Sequence, residues 1–364
     1  MIKYNFCAGP AKLPDDVLRI AQAELLDWSN TGCSVMEMSH RSKEFINVYN
    51  EAVEGLTRLL NIPKDYSVLF MHGGGRGQFS AVPLNLLKQG STDGAHYVTT
   101  GSWSADAVKE AEKFGQIKET KPVINDNNLY SVLPVEQWQL DDEVDFVHYC
   151  PNETVDGIEV FESPKKVSRN LCVVADMSST ILSRVIDVND FDLIYAGAQK
   201  NIGPSGLTIV IIKNALLKRS QNNVPSIFNY ALTAEKESMF NTPPTFAIYL
   251  ANLVFKWLIA KGGVSEIEKV NIEKAALLYK AIDDSQLFYS KVAPQNRSRM
   301  NVTFFLKNTD LESKFLEQAE QAGLLALKGH RSVGGIRASI YNAMPIEGVQ
   351  ALVNFMKKFE LENA

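Results

Sequence analysis

Ala196-Gly197-Ala198-Gln199-Lys200-Asn201-Ile202-Gly203-Pro204 follows an apolar run, Phe191 to Tyr195, that reads as a buried strand. Small residues and glycines leave one long cationic side chain, Lys200, projecting from a tight, backbone-rich turn. An amine held at a strand end, near other cations and partly desolvated, loses its proton more easily than a surface lysine and can attack a carbonyl to form a Schiff base. A solvated loop lysine is the ordinary alternative. The company of Lys200 weighs against it. Asp176 closes the apolar run Leu171 to Ala175, and the 24 residues from there to Lys200 leave room for one more element between two strand ends of the same sheet.

Around this pair the chain alternates. Val68 to Met71, His96 to Thr100, Asp145 to Tyr149, Asp192 to Tyr195 and Leu207 to Ile212 are further short apolar runs, with helices expected at Gln78 to Leu87 and Ser104 to Phe114. The class is α/β, a large domain with a mostly parallel central sheet covered by helices. Before it, Val17, Ile20, Ala21, Leu25 and Trp28 predict a helix ended by Thr31-Gly32, and a second amphipathic helix runs from Lys43 to Leu60. After Trp257 the pattern changes: a helix from Ser265 to Ile282, a strand Asn301 to Leu306, a helix Leu311 to Ala322, a strand Ile336 to Ile340 and a closing helix Glu347 to Phe359. This suggests a smaller C-terminal α+β domain. The expected division is a large domain over 16–258 and a small domain over 1–15 and 259–364.

At 364 residues the chain exceeds one simple core, and its net charge of −5 with no long basic run argues against a nucleic-acid partner. Cys7, Cys33, Cys150 and Cys172 are widely spaced, so neither a metal site nor a disulfide framework is indicated. The most apolar long stretch, Phe246 to Ala260, contains Lys256 and is too short to span a bilayer. With no signal-peptide pattern at Met1 to Pro10, the expectation is a cytoplasmic enzyme without a membrane partner.

Three constellations carry chemistry. His72-Gly73-Gly74-Gly75-Arg76-Gly77-Gln78 lies between a strand and a helix, where glycines admit an anion, the helix start offers free N–H groups and Arg76 adds charge. It is a phosphate site in form, although it lacks the Lys-Ser or Lys-Thr pair of a P-loop, and a tight strand-to-helix turn is the plainer reading. Asp176 could cap Ser178 or Ser179, but opposite a pyridine nitrogen a carboxylate keeps the ring protonated and makes it an electron sink, the service a pyridoxal phosphate enzyme needs. Trp103 follows a strand and could stack on such a ring or sit in the core. Finally, His40-Arg41, Arg76, His330-Arg331 and Arg337 form a cationic set on loops, suited to a substrate with two or more anionic ends unless they are solvated surface charges.

Together with Ser34-Val35-Met36-Glu37, Ser39-His40-Arg41, His148-Tyr149-Cys150-Pro151-Asn152-Glu153-Thr154, Asn241-Thr242-Pro243-Pro244-Thr245 and Gly329-His330-Arg331, these stretches closely resemble the phosphoserine aminotransferase family, class-V pyridoxal phosphate enzymes of the aspartate-aminotransferase fold. The resemblance covers essentially the whole chain. It implies that Lys200 is the Schiff-base lysine and proton shuttle, Asp176 the pyridinium partner and Trp103 the ring stacker. It implies further cofactor contacts from Gly75, Arg76, Thr154 and Gln199, and phosphate contacts from Asn241 and Thr242 of the other subunit of a homodimer. A helix cap by Thr242 or Thr245 is the simpler role for that last stretch. Arg337 resembles the grip on the substrate α-carboxylate, with Arg41, His330 and Arg331 around the phosphate or distal carboxylate. Cys7-Ala8 departs from the serines common in relatives. The implied reaction is reversible amino transfer from L-glutamate to 3-phosphooxypyruvate, with activity also on the longer 4-phosphooxy analogue of pyridoxine synthesis. Another enzyme of this fold, a lyase or cysteine desulfurase, is the alternative, and a desulfurase would need a cysteine on a long mobile loop.

Overall fold

Tyr66–His72 (β1), Ala95–Val98 (β2), Ile117–Thr120 (β3), Val147–Tyr149 (β4), Val173–Asp176 (β5), Leu193–Gly197 (β6) and Leu207–Lys213 (β7) form a seven-stranded sheet in the order β1-β7-β6-β5-β4-β2-β3. The computed structural model describes residues 2–88, 90, 92–220 and 223–363. Every neighbouring pair is parallel except the two made by β7. Six strands therefore point the same way, and their C-terminal ends collect along one edge. The residues of β5 and β6 are buried throughout, and so is β7 from Leu207 to Ile212. These are unbroken apolar runs, as a sheet covered on both faces requires. Their register sets Asp176 against Tyr195, so the turns that follow β5 and β6 open side by side.

Helices Asp15–Ala23 (α1), Lys43–Leu60 (α2), Gly74–Leu86 (α3), Ser102–Ala111 (α4) and Thr245–Ala260 (α5) accompany this sheet. Ser42 starts α2 by accepting the Phe45 N–H at 3.2 Å, and Asn61 ends it in the left-handed conformation at φ 50°. Its stripe of Phe45, Val48, Ala52, Leu56 and Leu59 is buried, each large side chain contributing about 1.5–3 kcal/mol. Gly55 lets α2 lie close to α5, since a Cβ there would come within 3.2 Å of Phe255 Cβ.

Two expectations need correction. The first helix stops at Ala23 rather than running through Trp28; it buries Val17 and Ala21 while Leu18 and Ile20 on its other flank remain exposed. Beyond it Ser29 and Asn30 take positive φ, which no continuing helix allows. The helix after β1 begins at Gly74, not Gln78, because the glycines form its first turn instead of a loop before it. The edge strand β3 and the hairpin of Val123–Asp126 with Leu129–Val132 are additional; Asn127 and Asn128, at φ 50° and 66°, make the hairpin turn.

The remainder of the chain forms a second, antiparallel sheet of Phe288–Tyr289 (β8), Asn301–Leu306 (β9) and Ile336–Ser339 (β10), with helices Val264–Asp283 (α6), Glu312–Gln321 (α7) and Ile346–Asn363 (α8). Its separate apolar core includes Leu278, Phe288, Phe304, Phe315 and Phe359, and it also takes in Phe6 from the N-terminal stretch. Tyr4–Asn5 pairs in parallel with Leu324–Leu325, tying that stretch to this unit.

Lys274 of α6 is fully buried in this unit and donates to the carbonyls of Ile340, Tyr341 and Met344 at 2.9, 2.8 and 3.0 Å. Burial pushes its ammonium down to about 7, while the three carbonyls hold the proton. Replacing Lys274 by Met should strand those carbonyls and lower the unfolding free energy by about 3 kcal/mol in a urea titration. A variant as stable as the parent would show that the carbonyls need no donor.

Candidate active site

At the C-terminal edge of the large sheet, the turns after β1, β2, β4, β5 and β6 close around a cavity of about 420 Å³. Such an edge is where open α/β sheets place ligands. Gly75 and Arg76 reach it from the start of α3, Trp103 from α4, Thr154 from the turn beyond β4, Asp176 from the tip of β5, and Gln199 and Lys200 from the turn after β6. The smaller unit adds His330 from a loop and Arg337 from β10. Ala8 and Gly9 of the N-terminal stretch complete the wall. Arg41, Arg331, Asn241 and Thr242 do not line this cavity and are exposed in the single chain.

The electrostatics of the pair suit its chemistry. Desolvation holds the Lys200 amine below the usual lysine range, and Arg337 acts in the same direction against the opposing pull of Asp176, Glu153 and Cys150. Burial likewise raises the Asp176 carboxyl, while Ser178, Lys200 and Tyr195 favour its anion. The capping contact is present as well: Asp176 Oδ1 accepts the Ser178 N–H at 2.9 Å. That bond aims the carboxylate without removing it from the cavity.

The neighbouring groups fit a phosphorylated pyridine ring. A Cβ on Gly75 would stand 3.1 Å from Ser178 Oγ, and one on Gly197 would stand 3.2 Å from the Gly75 nitrogen, so only glycines let the start of α3 approach the tips of β5 and β6. That helix start offers backbone N–H groups to a phosphate. Gln199 Oε1 is buried and has no hydrogen-bond partner among the described residues. The Trp103 indole forms a flat wall, with its Nε1 donating to Thr154 Oγ1 at 2.6 Å, the Arg76 guanidinium 5.1 Å from the ring and Lys200 Nζ 5.8 Å from it. A phosphate cradle, a carboxylate for a ring nitrogen, an aromatic wall and an amine for a carbonyl are the donor set that pyridoxal phosphate requires.

Behind this wall lie supports that the sequence reading did not single out. The Tyr195 hydroxyl favours the Asp176 anion and lies 2.8 Å from His148 Nε2, and both His148 and Tyr195 are buried in the sheet. Among the described residues, His148 Nδ1 has no hydrogen-bond partner. Ser178 Oγ takes the Gly197 N–H at 3.0 Å and so joins the ends of β5 and β6. Glu153 and Asp156 hold the start of α4. The visible signal for these residues was polarity inside apolar runs: His148 and Tyr195 stand in strands where any hydrogen-bonding side chain needs a buried partner.

The chain belongs to the class-V aminotransferase family, whose model matches residues 3–352. It is a pyridoxal phosphate-dependent aminotransferase, and within that class it is similar to phosphoserine aminotransferases. It is 57% identical to the phosphoserine aminotransferase of Pseudoalteromonas translucida over 364 residues, covering 100% of each chain. The solved phosphoserine aminotransferase of Bacillus circulans subsp. alkalophilus matches at 44% identity with a TM-score of 0.94, over 100% of this chain and 99% of that one. A pyridoxal phosphate-bound phosphoserine aminotransferase from Trichomonas vaginalis matches at 39% identity and a TM-score of 0.91, over 98% of this chain and 100% of that one. The family resemblance read from the sequence is borne out, as is the cofactor it implies.

His148 gives a pH signature. Burial pushes its imidazole down to about 3, so the unfolded chain takes up a proton that the fold refuses. The stability this neutral ring allows is complete above pH ~6.5 and is lost as pH falls toward 3. Between pH 6.5 and 5 the loss should be about 1.6 kcal/mol, absent in His148→Gln. The stability difference between parent and variant should therefore shrink by that amount in denaturant titrations at the two pH values. A constant difference would mean that His148 is not held neutral.

Proposed function

We infer that this chain acts as a phosphoserine aminotransferase, moving an amino group reversibly from L-glutamate to 3-phosphooxypyruvate to give 2-oxoglutarate and O-phospho-L-serine, and that it also accepts 3-hydroxy-2-oxo-4-phosphooxybutanoate. The observation that carries the reading is the meeting of Lys200 and Asp176 with Arg337 and His330 in one cavity. That set serves both an amine transfer and a doubly anionic substrate. Nothing favours the lyase or desulfurase alternative: Cys150 is buried, and burial pushes its thiol well above the ordinary range, away from a reactive thiolate.

Pyridoxal phosphate, when bound, supplies a carbonyl for covalent attachment and a ring that stores electrons. Lys200 Nζ, with its proton affinity lowered by desolvation, would be the amine that holds that carbonyl and the base for the α-proton of the amino donor. Asp176, oriented by Ser178, would keep a proton at the ring nitrogen. Trp103 would cover the ring face, and the glycine turn at Gly75 with Arg76, Thr154 and Gln199 would hold the remaining polar groups. Arg337 has one Nη1 contact to the Thr154 carbonyl at 3.1 Å and keeps other N–H groups to orient a substrate α-carboxylate. His330, Arg331 and Arg41 take the phosphate or distal carboxylate.

A homodimer is part of this reading. Asn241 and Thr242 lie on an exposed stretch before α5 that no side-chain cap ties to the helix; Asn241 Nδ2 and the Thr242 carbonyl lie 3.4 and 3.2 Å from His72 Nε2, while Asn241 Oδ1 and the Thr242 hydroxyl face a partner's cofactor phosphate in this reading. Leu18, Ile20, Met36 and Phe240 stay exposed in the single chain, apolar surface that a second copy would cover. The division into a large domain over 16–258 and a small domain over 1–15 and 259–364 is supported by the separate apolar core of the C-terminal unit, although Val264, Ile267 and Val292 pack into the core of the large sheet, and the location is the cytoplasm, whose reducing conditions suit four free cysteines.

The reading is tested by assaying the purified holoenzyme with both substrates and then separating the arginines. Arg331→Ala should lower kcat/KM for 3-phosphooxypyruvate by about tenfold or more relative to an unphosphorylated 2-oxo acid. Arg337→Ala should impair every amino donor, because each carries an α-carboxylate. Equal losses for phosphorylated and unphosphorylated acceptors in the first variant would reject the phosphate assignment, and no glutamate-dependent phosphoserine from the parent would reject the function. A monomeric holoenzyme in sedimentation would remove the shared site.

A further inference from the structure

Helix α4 begins at Ser102, and its first N–H groups need acceptors from outside the helix. Two buried carboxylates supply them. Glu153 accepts the Trp103 N–H on Oε2 at 2.8 Å and the Ser104 N–H on Oε1 at 2.9 Å, and the Ser104 hydroxyl donates to the same Oε1. Asp156 accepts the Ser102 N–H at 2.8 Å. Glu153 is 0% exposed, and among the described residues no cation pairs with it at ion-pair distance. Burial and the neighbouring Asp156 carboxylate push its carboxyl up to about 7, while the Ser104 hydroxyl and the Ser104 and Trp103 N–H groups of the first turn of α4 favour the anion.

A short neutral cap such as Ser or Thr would satisfy a helix start at lower desolvation cost. What the carboxylate adds is a two-oxygen grip on consecutive residues. Because Trp103 is one of them, its backbone is held by Glu153 while its indole Nε1 is held by the adjacent Thr154. The ring is thus fixed at both ends by one two-residue step of chain. Position 101 makes the grip possible, since a Cβ there would stand 2.5 Å from Glu153 Cγ and 2.5 Å from Asp156 Oδ2. Gly101 has extended backbone, so steric contact rather than φ is what excludes a side chain.

We propose that Glu153 is a positioning residue for amino transfer, its carboxylate clamping the first turn of α4 so that the Trp103 indole presents one fixed face to the cofactor ring. Glu153 does not line the cavity; it holds Trp103 by its hydrogen bonds and favours the Lys200 ammonium by its charge, and Gly101→Ala keeps that charge while disturbing the hydrogen bonds. The inference rests on the reading of Trp103 as the ring's wall, and its test keeps the two apart.

The protein is labelled with 5-fluorotryptophan, and the Trp103 resonance is assigned by its loss in Trp103→Phe; Trp28, Trp138 and Trp257 serve as internal references. Glu153→Gln turns one acceptor oxygen into a donor facing an N–H, and Gly101→Ala pushes the intact carboxylate away from the helix. In the apoprotein both should shift or split the Trp103 resonance while the references stay in place. In equilibrium dialysis with pyridoxal phosphate, both should raise the dissociation constant about tenfold, and in the holoenzyme kcat should fall while KM for L-glutamate changes little. A folded Glu153→Gln or Gly101→Ala protein with an unmoved Trp103 resonance overturns the clamp. A moved resonance with parental cofactor affinity and kcat overturns instead the placement of Trp103 against the ring.

Discussion

The structure depends on the parallel pairing of β5 and β6. Because Asp176 stands opposite Tyr195, the carboxylate at one strand tip and the lysine of the next turn share a single desolvated corner. Main-chain hydrogen bonds inside a sheet buried on both faces hold that register, and a slip of one residue would turn Asp176 to the other face. Positions that must stay constant through a reaction thus rest on paired strands buried along their whole length.

That corner is costly to build. Burial works against both charges, raising the carboxyl and lowering the amine, while each favours the charged form of the other and Ser178 favours the carboxylate. The fold offsets the cost with supports arranged in layers. Ser178 joins the tips of β5 and β6, the buried Tyr195 and His148 stand behind the carboxylate, and Glu153 anchors the aromatic wall. The smaller unit, with its own apolar core, brings Arg337 to the opposite side of the cavity on β10. Anchoring at Phe6 draws the N-terminal stretch into the same unit, which sets Ala8 and Gly9 in the cavity wall.

Much of this was legible in the residues. The unbroken apolar runs gave the central strands because β5, β6 and β7 are covered on both faces, and Asp176, Gly75 and Lys200 stood out as polar or glycine breaks at their ends. The limits have physical causes. Helix α1 ends early because its apolar spacing serves two surfaces, a packed one at Val17 and Ala21 and an exposed one at Leu18 and Ile20. The glycines before Gln78 suggested a loop, yet close packing against Ser178 and the tip of β6 makes them the first turn of a helix. Glu153 and Tyr195 act through partners 49 and 47 residues away, Ser104 and His148, and local pattern does not record such pairings. Arg41, Arg331, Asn241 and Thr242 stay outside the cavity in a single chain, so their resemblance to cofactor and substrate contacts has no counterpart in the geometry of one subunit.

The central claim is that the amine at the end of β6, and no other, bonds the cofactor. The most direct measurement is to reduce the pyridoxal phosphate-loaded protein with borohydride, digest it and locate the modified peptide by mass spectrometry. The account predicts a single stoichiometric label on Lys200, abolished by adding L-glutamate before the reductant. A label on another lysine, or one that persists undiminished with L-glutamate present, would contradict it.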